Sequence, residues 1–345
     1  MSSSPKHVFA QFASILSSIS WCNTYPYTAR EWEQDLVDCA ERAALDGFVL
    51  NVGREEWQRD RVRDCFATAL AMRSTLKFFL SFDMSSIPAA TSADMHEAWL
   101  VVKRRLEEYA PVIFMPAFFI DPGMIPEREI EMPALDSDKH HLRHLGGWAY
   151  MAAVSPCRPT THYGPDSWNK NWIYRGDDWL YVRRWEQIMS MRAQVDIVQV
   201  ISRTTYIAPV SGAQPKSQAW VDGFPHDPWM ALTAYFAHAF RDGCAPPILQ
   251  GRIFPWARPH PRDASAEKAV PRPLNWELTD DKFWVVVLAT APAQVALSTG
   301  VDEEVHLSGH DDTPDRGKSS RSFASRLKET FTVSRATEIG RTARI

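Results

Sequence analysis

The sequence predicts an α/β fold: an incomplete (β/α)8 TIM-type barrel over residues 1–245, followed by a small β-sandwich-like domain over residues 246–300. Two observations predict it. Through the first two-thirds of the chain, short apolar runs alternate with longer amphipathic ones, the pattern of β/α units around a parallel sheet. Beyond Gly243 the text changes to short strands split by prolines, RIFPWARPHP and then FWVVVLATAPAQVALS. The chain has 345 residues, and a barrel takes roughly 200 to 250 as a single domain, so there is length for both parts.

The elements follow in order. Residues 8–12 (VFAQF) read as the first strand. Thr28 and Glu31 form a T-x-x-E capping box, and Trp32, Leu36, Val37, Ala40, Ala43 and Ala44 then recur at helical spacing until Asp46 and Gly47 end the helix. Residues 48–52 (FVLNV) are a second strand. The next helix runs over about 55–72, with Trp57, Val62, Phe66, Ala69 and Leu70 on its inner side, and 76–82 (LKFFLSF) is a third strand. A helix over 94–109 stops before Pro111, because the residue preceding a proline is pushed out of the helical region. Residues 112–119 (VIFMPAFF) are a fourth strand.

Residues 121–147 show no period and read as a long loop, which in a compact domain is usually functional or disordered. Residues 148–154 (WAYMAAV) are a fifth strand, 177–192 a helix and 196–202 (DIVQVIS) a sixth strand. A last helix covers 227–241. Residues 284–288 form a continuous apolar run suited to a sandwich core. From Val301 the text is polar and reads as a mobile tail to 345, with at most a short helix near 325–332. Six β/α strands are two short of a closed barrel.

Composition excludes several function classes. A net charge of -4 gives no basic field for nucleic acid or anionic lipid. No apolar run reaches the 18 residues of a membrane span, and the first residues lack the basic and apolar regions of a secretory signal, so no export address is visible. The five cysteines, at 22, 39, 65, 157 and 244, contain no CxxC pair and no readable zinc or disulfide framework. Fourteen tryptophans suit a carbohydrate cleft, since indole stacks on sugar faces, although core packing accounts for most of them. His140, His141 and His144 have metal-compatible spacing but no carboxylate or Cys arrangement beside them, and a solvated loop is the better reading. A monomer without cofactor or metal is expected.

Several segments resemble glycoside hydrolase family 71, the fungal α-1,3-glucanases or mutanases. They are VFAQF, NTYPYTAREWEQDL, DGFVLNVG, FFLSFDM, YMAAVSP, NKNWIYRGDDW, SGAQPKSQAWVDGFPHD, WARPHPRDA and VPRPLNWELTDD, long and in the expected order. The resemblance implies a (β/α)8 barrel followed by a β-sandwich, α-1,3-glucan as partner, and hydrolysis with inversion. Members of the family are usually secreted or attached to the cell wall.

The departures lie between these blocks. ASILSSISWC is inserted before NTYPYT, and two barrel strands have no counterpart, one between FDM and VIFMPAFF and one in 121–147. The family's last strand continues into Trp-Asn-Asp-Tyr-Gly-Glu-Ser. Here the chain reads Ser202-Arg203-Thr204-Thr205-Tyr206, without either carboxylate. Glycoside hydrolysis generally needs one carboxyl as acid and a second as base or nucleophile. No catalytic residue is therefore carried over.

What remains is a set of candidate glucan contacts. Asp83 ends the third strand and faces the cleft or caps the following loop; one carboxylate alone does not complete a two-carboxylate mechanism. Tyr25 and Asn51 match family blocks and either bond sugar hydroxyls or satisfy loop backbone. Asn171, Trp172 and Arg175 fit a glucan subsite, with Trp172 balanced between stacking and packing. Asp177 and Asp178 read as a helix cap, as does Asp227, whose neighbour His226 is placed to reach the cleft. Three functions stay open: an α-1,3-glucan hydrolase by descent, a catalytically dead glucan-binding pseudoenzyme, and the product of a defective gene model, altered splicing or gene decay.

Overall fold

The computed structural model of the chain describes residues 5–13, 28–53, 56–82, 135–145, 149–155, 161, 162, 171, 172, 180–200, 228–256, 282–291, 293–298, 328–333 and 341–344. In chain order these form β1 (His7–Ala13), α1 (Ala29–Val37), β2 (Gly47–Val52), α2 (Glu56–Ala71), β3 (Lys77–Phe82), α3 (Asp136–Leu145) and β4 (Met151–Val154). Then come β5 (Thr161–His162), β6 (Asn171–Trp172), α4 (Leu180–Ser190), β7 (Ile197–Val200) and α5 (Pro228–Asp242). The last are β8 (Arg252–Trp256), β9 (Lys282–Leu288), β10 (Ala293–Ser298), β11 (Lys328–Val333) and β12 (Arg341–Arg344). Two compact units result: Met1–Pro156 with Arg184–Ala245, and Cys157–Arg183 with Pro246–Ile345.

The first unit is mixed α/β around a five-stranded parallel sheet in the order β3-β2-β1-β7-β4. Each step β1 to β2, β2 to β3 and β4 to β7 moves one place in the same direction along that order. Parallel crossovers are right-handed, so connections that all step one way place their helices on one face. The packing agrees: α1 lies against α2, α5 against the turn that follows α1, and Trp185 of α4 stacks on Phe236 of α5 at 5.5 Å. On the helix-covered face Phe78 meets both Phe48 of β2 and Phe66 of α2, and Leu50, Val198, Val200, Ala152 and Val154 are buried.

The capping box forms as the sequence predicts. Thr28 Oγ1 accepts from the Glu31 amide, and Glu31 Oε2 accepts from the Thr28 amide at 2.7 Å. Trp32 and Leu36 are buried below it. The end of that helix differs from expectation. It leaves through a π turn, Asp38–Arg42, and the left-handed residue is Ala44 at φ 51°, while Gly47 already belongs to β2. In α2 the buried stripe is Gln58, Val62, Cys65 and Ala69. Leu70, expected inside, is one step around the helix from that stripe and is 80 % exposed.

Two further expectations are corrected. Part of the expected 121–147 loop is the helix α3, which has few apolar residues to announce it and is tied down by an ion pair from Asp138. Within the expected mobile tail, with its short helix near 325–332, the chain instead forms β11 and β12. β11 pairs antiparallel with β10 and β12 with β9, so partners distant in sequence supply their order. The expected helix over 94–109 and strand over 112–119 lie outside the described residues. In the second unit β9 lies between β8 and β12, with Trp284, Val285, Val286, Val287 and Leu288 buried, and β5 pairs with β6. No described helix is long and apolar enough to cross a membrane.

Candidate functional site

The two ends of the parallel sheet differ in chemistry. At the N-terminal end one device occurs twice. Asp46, just before β2, accepts from the Val8 amide at 2.7 Å and donates its own amide to the Val8 carbonyl; Asp196, just before β7, does the same with Tyr150. Each carboxylate is further held by cations: Arg241 of α5 at 3.1 Å from Asp46, and Lys6 at 3.6 Å from Asp196. His7 lies between Asp46 and Lys77. These groups tie the strand starts to one another and, through Arg241, to α5, so this end of the sheet is committed to stability.

The C-terminal end is where chemistry is placed in parallel α/β folds. Here Ala13, Asn51 and Ser81 stand in register at the ends of β1, β2 and β3, and Val154 and Val200 at the ends of β4 and β7. The turn leaving β2 is held by the buried Gln58, whose side chain accepts from the Gly53 amide. On the sheet face away from the helices, Phe9 and Phe79 meet edge to face at 5.0 Å. Met151, Phe79, Ser81 and Ile197 on that face are half-buried and Ala153 is exposed, whereas Leu80, Ala152, Val154 and Val198 on the helix face are buried. Gln199, also on this face, is 2 % exposed, and its amide nitrogen has no acceptor among the described residues. Sequence reading missed Gln199; the signal was a polar residue inside an otherwise apolar strand, DIVQV.

A third cluster joins α3, α4 and β4. The Arg184 guanidinium grips both oxygens of Asp138 at 2.6 Å, and the Tyr150 hydroxyl donates to Asp138 Oδ1 at 2.5 Å. Burial by itself raises the Asp138 pKa, but the hydrogen bonds and charge of Arg184, together with Tyr150, outweigh it and hold the carboxyl below its ordinary value. Burial, then the hydrogen bond and charge of Asp138, push Tyr150 well above its ordinary value. A carboxylate so engaged is structural. Because its folded pKa is depressed, its stabilisation is complete above the unfolded value of about 4 and is lost as pH falls through the lower folded value. The stability difference between the wild type and Asp138→Asn, read from urea midpoints, is therefore expected to stay constant from pH 8 to 5 and to shrink below about pH 4. A difference that shrinks already near pH 6 would show that another group governs the cluster.

Among the described residues no group of His, Cys, Asp and Glu is arranged to hold a metal. His140, His141 and His144 lie along α3 rather than in a loop. An open depression lined by Lys139, Leu142, Arg143 and Gln194 lies beside the start of β7, at the wrong end of the strands for strand-end chemistry. Cys39 and Cys65 are buried free thiols, pushed up chiefly by burial, and Cys244 is an exposed one. Trp32, Trp185 and Trp284 are core residues, as most tryptophans were expected to be.

Of the predicted contacts, Asn51 is at the penultimate position of β2, at the chemical end of the sheet. Asn171 and Trp172 form β6, in register with His162 and Thr161. Tyr25, Asp83, Arg175 and His226 lie outside the described residues, as do Asp177, Asp178 and Asp227.

The sequence profile of glycosyl hydrolase family 71 matches residues 4–111 and 126–336. The match runs through much of the expected mobile tail, to residue 336, and it breaks at 112–125, where the fourth strand was expected. Two proteins of Schizosaccharomyces pombe are similar. Glucan endo-1,3-alpha-glucosidase agn1 is 28% identical over 340 residues, covering 81% of this chain and 78% of its own length. The ascus wall endo-1,3-alpha-glucanase is 23% identical over 351 residues, covering 80% and 78% respectively. An alignment of 340 positions that takes up only 81% of a 345-residue chain passes across positions of the relative with no counterpart here.

Proposed function

Because the chain belongs to glycosyl hydrolase family 71, we propose that it is an endo-α-1,3-glucanase by descent that still binds α-1,3-glucan but no longer hydrolyses it. The observation that carries this reading is the run Ser202-Arg203-Thr204-Thr205-Tyr206, which lacks the carboxylate pair of the family motif. The names of both relatives support the substrate. The strand order supports a barrel-type arrangement for residues 1–245: the last parallel strand lies beside the first, the neighbour relation by which a barrel closes. Residues from 246 onward are proposed as the β-sandwich-like domain. In the first unit the glucan lies across the strand C-termini, with Asn51, Asp83, Tyr25 and His226 as hydrogen-bonding groups; in the second unit Asn171, Trp172 and Arg175 are proposed as a separate glucan subsite. The protein acts as a monomer, without nucleic acid, membrane or cofactor.

The test is retention of purified protein on insoluble α-1,3-glucan, with cellulose as control. Selective retention is expected, and Trp172→Ala is expected to weaken it about 5-fold, the worth of one aromatic platform. Equal retention on both polysaccharides would end the glucan reading. The skipped alignment positions also favour a second reading, in which the coding sequence has been joined wrongly and the natural product is a full enzyme. Transcript sequence across codons 84–112, 121–148 and 202–206 decides it: restored Asp and Glu codons establish the enzyme.

A further inference from the structure

We propose that Arg184 is a positioning residue that sets the C-terminal end of β4, one of the strand ends at which the glucan site is placed. The inference rests on that placement. Arg184 rises from α4, and its Nε donates to the Ala153 carbonyl, next to the last residue of β4, at 2.9 Å. Its Nη1 and Nη2 donate to the two oxygens of Asp138 on α3, and Nη1 also donates to Gln187 at 3.3 Å. Asp138 Oδ1 in turn accepts from Tyr150, the residue before β4. One planar group thus ties α3 and α4 to both ends of a four-residue strand. The donors of a guanidinium are held in a rigid fork, so the bond to Ala153 and the pair to Asp138 cannot adjust independently. An ion pair serving only stability needs the two Nη groups; the Nε bond to a strand end fixes a position. Lysine keeps the charge opposite Asp138 and loses that fixed third direction.

The experiment compares Arg184→Lys with the wild type by amide hydrogen exchange and by retention on insoluble α-1,3-glucan. Exchange at residues 153–155 is expected to quicken at least 10-fold while β2 amides keep their rates, and retention is expected to fall about 5-fold. Unchanged exchange at 153–155 overturns the proposal, as does faster exchange there with undiminished retention, or faster exchange throughout β2. If Arg184→Lys does not fold, the wild type decides: soluble α-1,3-glucan oligosaccharide should slow exchange at 153–155, and no slowing overturns the proposal. A wild type that is not retained on glucan sinks the glucan reading instead, and the exchange of Arg184→Lys then settles the clamp alone.

Discussion

Purified protein incubated with insoluble α-1,3-glucan is expected to release reducing sugar only at the background rate, while a full-length relative in parallel digests the same polymer. The glycosidic oxygen must receive a proton as it leaves, and a water must lose one as it attacks. Each positioned proton transfer contributes about 10² to 10⁴-fold in rate. On the proposed reading the motif pair is replaced by Ser202-Arg203-Thr204-Thr205-Tyr206, and neither transfer has its carboxyl. Asp83, which follows the third strand in the FFLSFDM block, is the one substitute carboxylate we propose, and one group cannot be both acid and base on opposite sides of a sugar ring. Turnover comparable to the relative, abolished by Asp83→Asn, would overturn this and make Asp83 a replacement catalytic group.

Gly47→Ala is expected to cost at least about 3 kcal/mol of folding stability, among the larger effects a single substitution has. Gly47 opens β2 at φ 155°, and a Cβ there would stand 1.7 Å from the Lys77 carbonyl oxygen and 2.8 Å from its amide nitrogen. Those are backbone atoms of β3. They cannot withdraw, because the Lys77 amide donates to the Asp46 carbonyl at 2.8 Å and the two strands are paired from this residue onward. Any relief therefore breaks the β2–β3 ladder at its origin. Gly251 provides the comparison: a Cβ there meets nothing nearer than 3.8 Å, so Gly251→Ala should change stability by less than about 0.5 kcal/mol. Equal urea midpoints for the two variants would show that β3 does not close over Gly47.

The parts of the fold legible in the sequence share one property: their signal is local. Residues 48–52 and 196–202 announced strands because their text is mainly apolar and rich in β-branched residues over a strand's length, and β2 and β7 lie there. Thr28 and Glu31 announced a helix start because both halves of a capping box lie within one turn. The candidate site was only partly legible. Asn51 could be placed at a strand end from the text, but the Gln199 amide, without an acceptor among the described residues, and the bond from Arg184 to the Ala153 carbonyl depend on which element lies beside which.

By itself, then, the sequence determined the alternation of strands and helices and the family, because each is written in contiguous residues. The run Ser202-Arg203-Thr204-Thr205-Tyr206 is what motivates the proposed loss of activity. Only the tertiary structure decided the order β3-β2-β1-β7-β4, the strands at Lys328–Val333 and Arg341–Arg344, and the helix at Asp136–Leu145. Each of these is stabilised by a partner far away in the chain: β10 and β9 for the late strands, and Arg184, 46 positions from Asp138, for the helix. A segment that owes its form to a distant partner carries little periodicity of its own, so its conformation becomes visible only when that partner is in place.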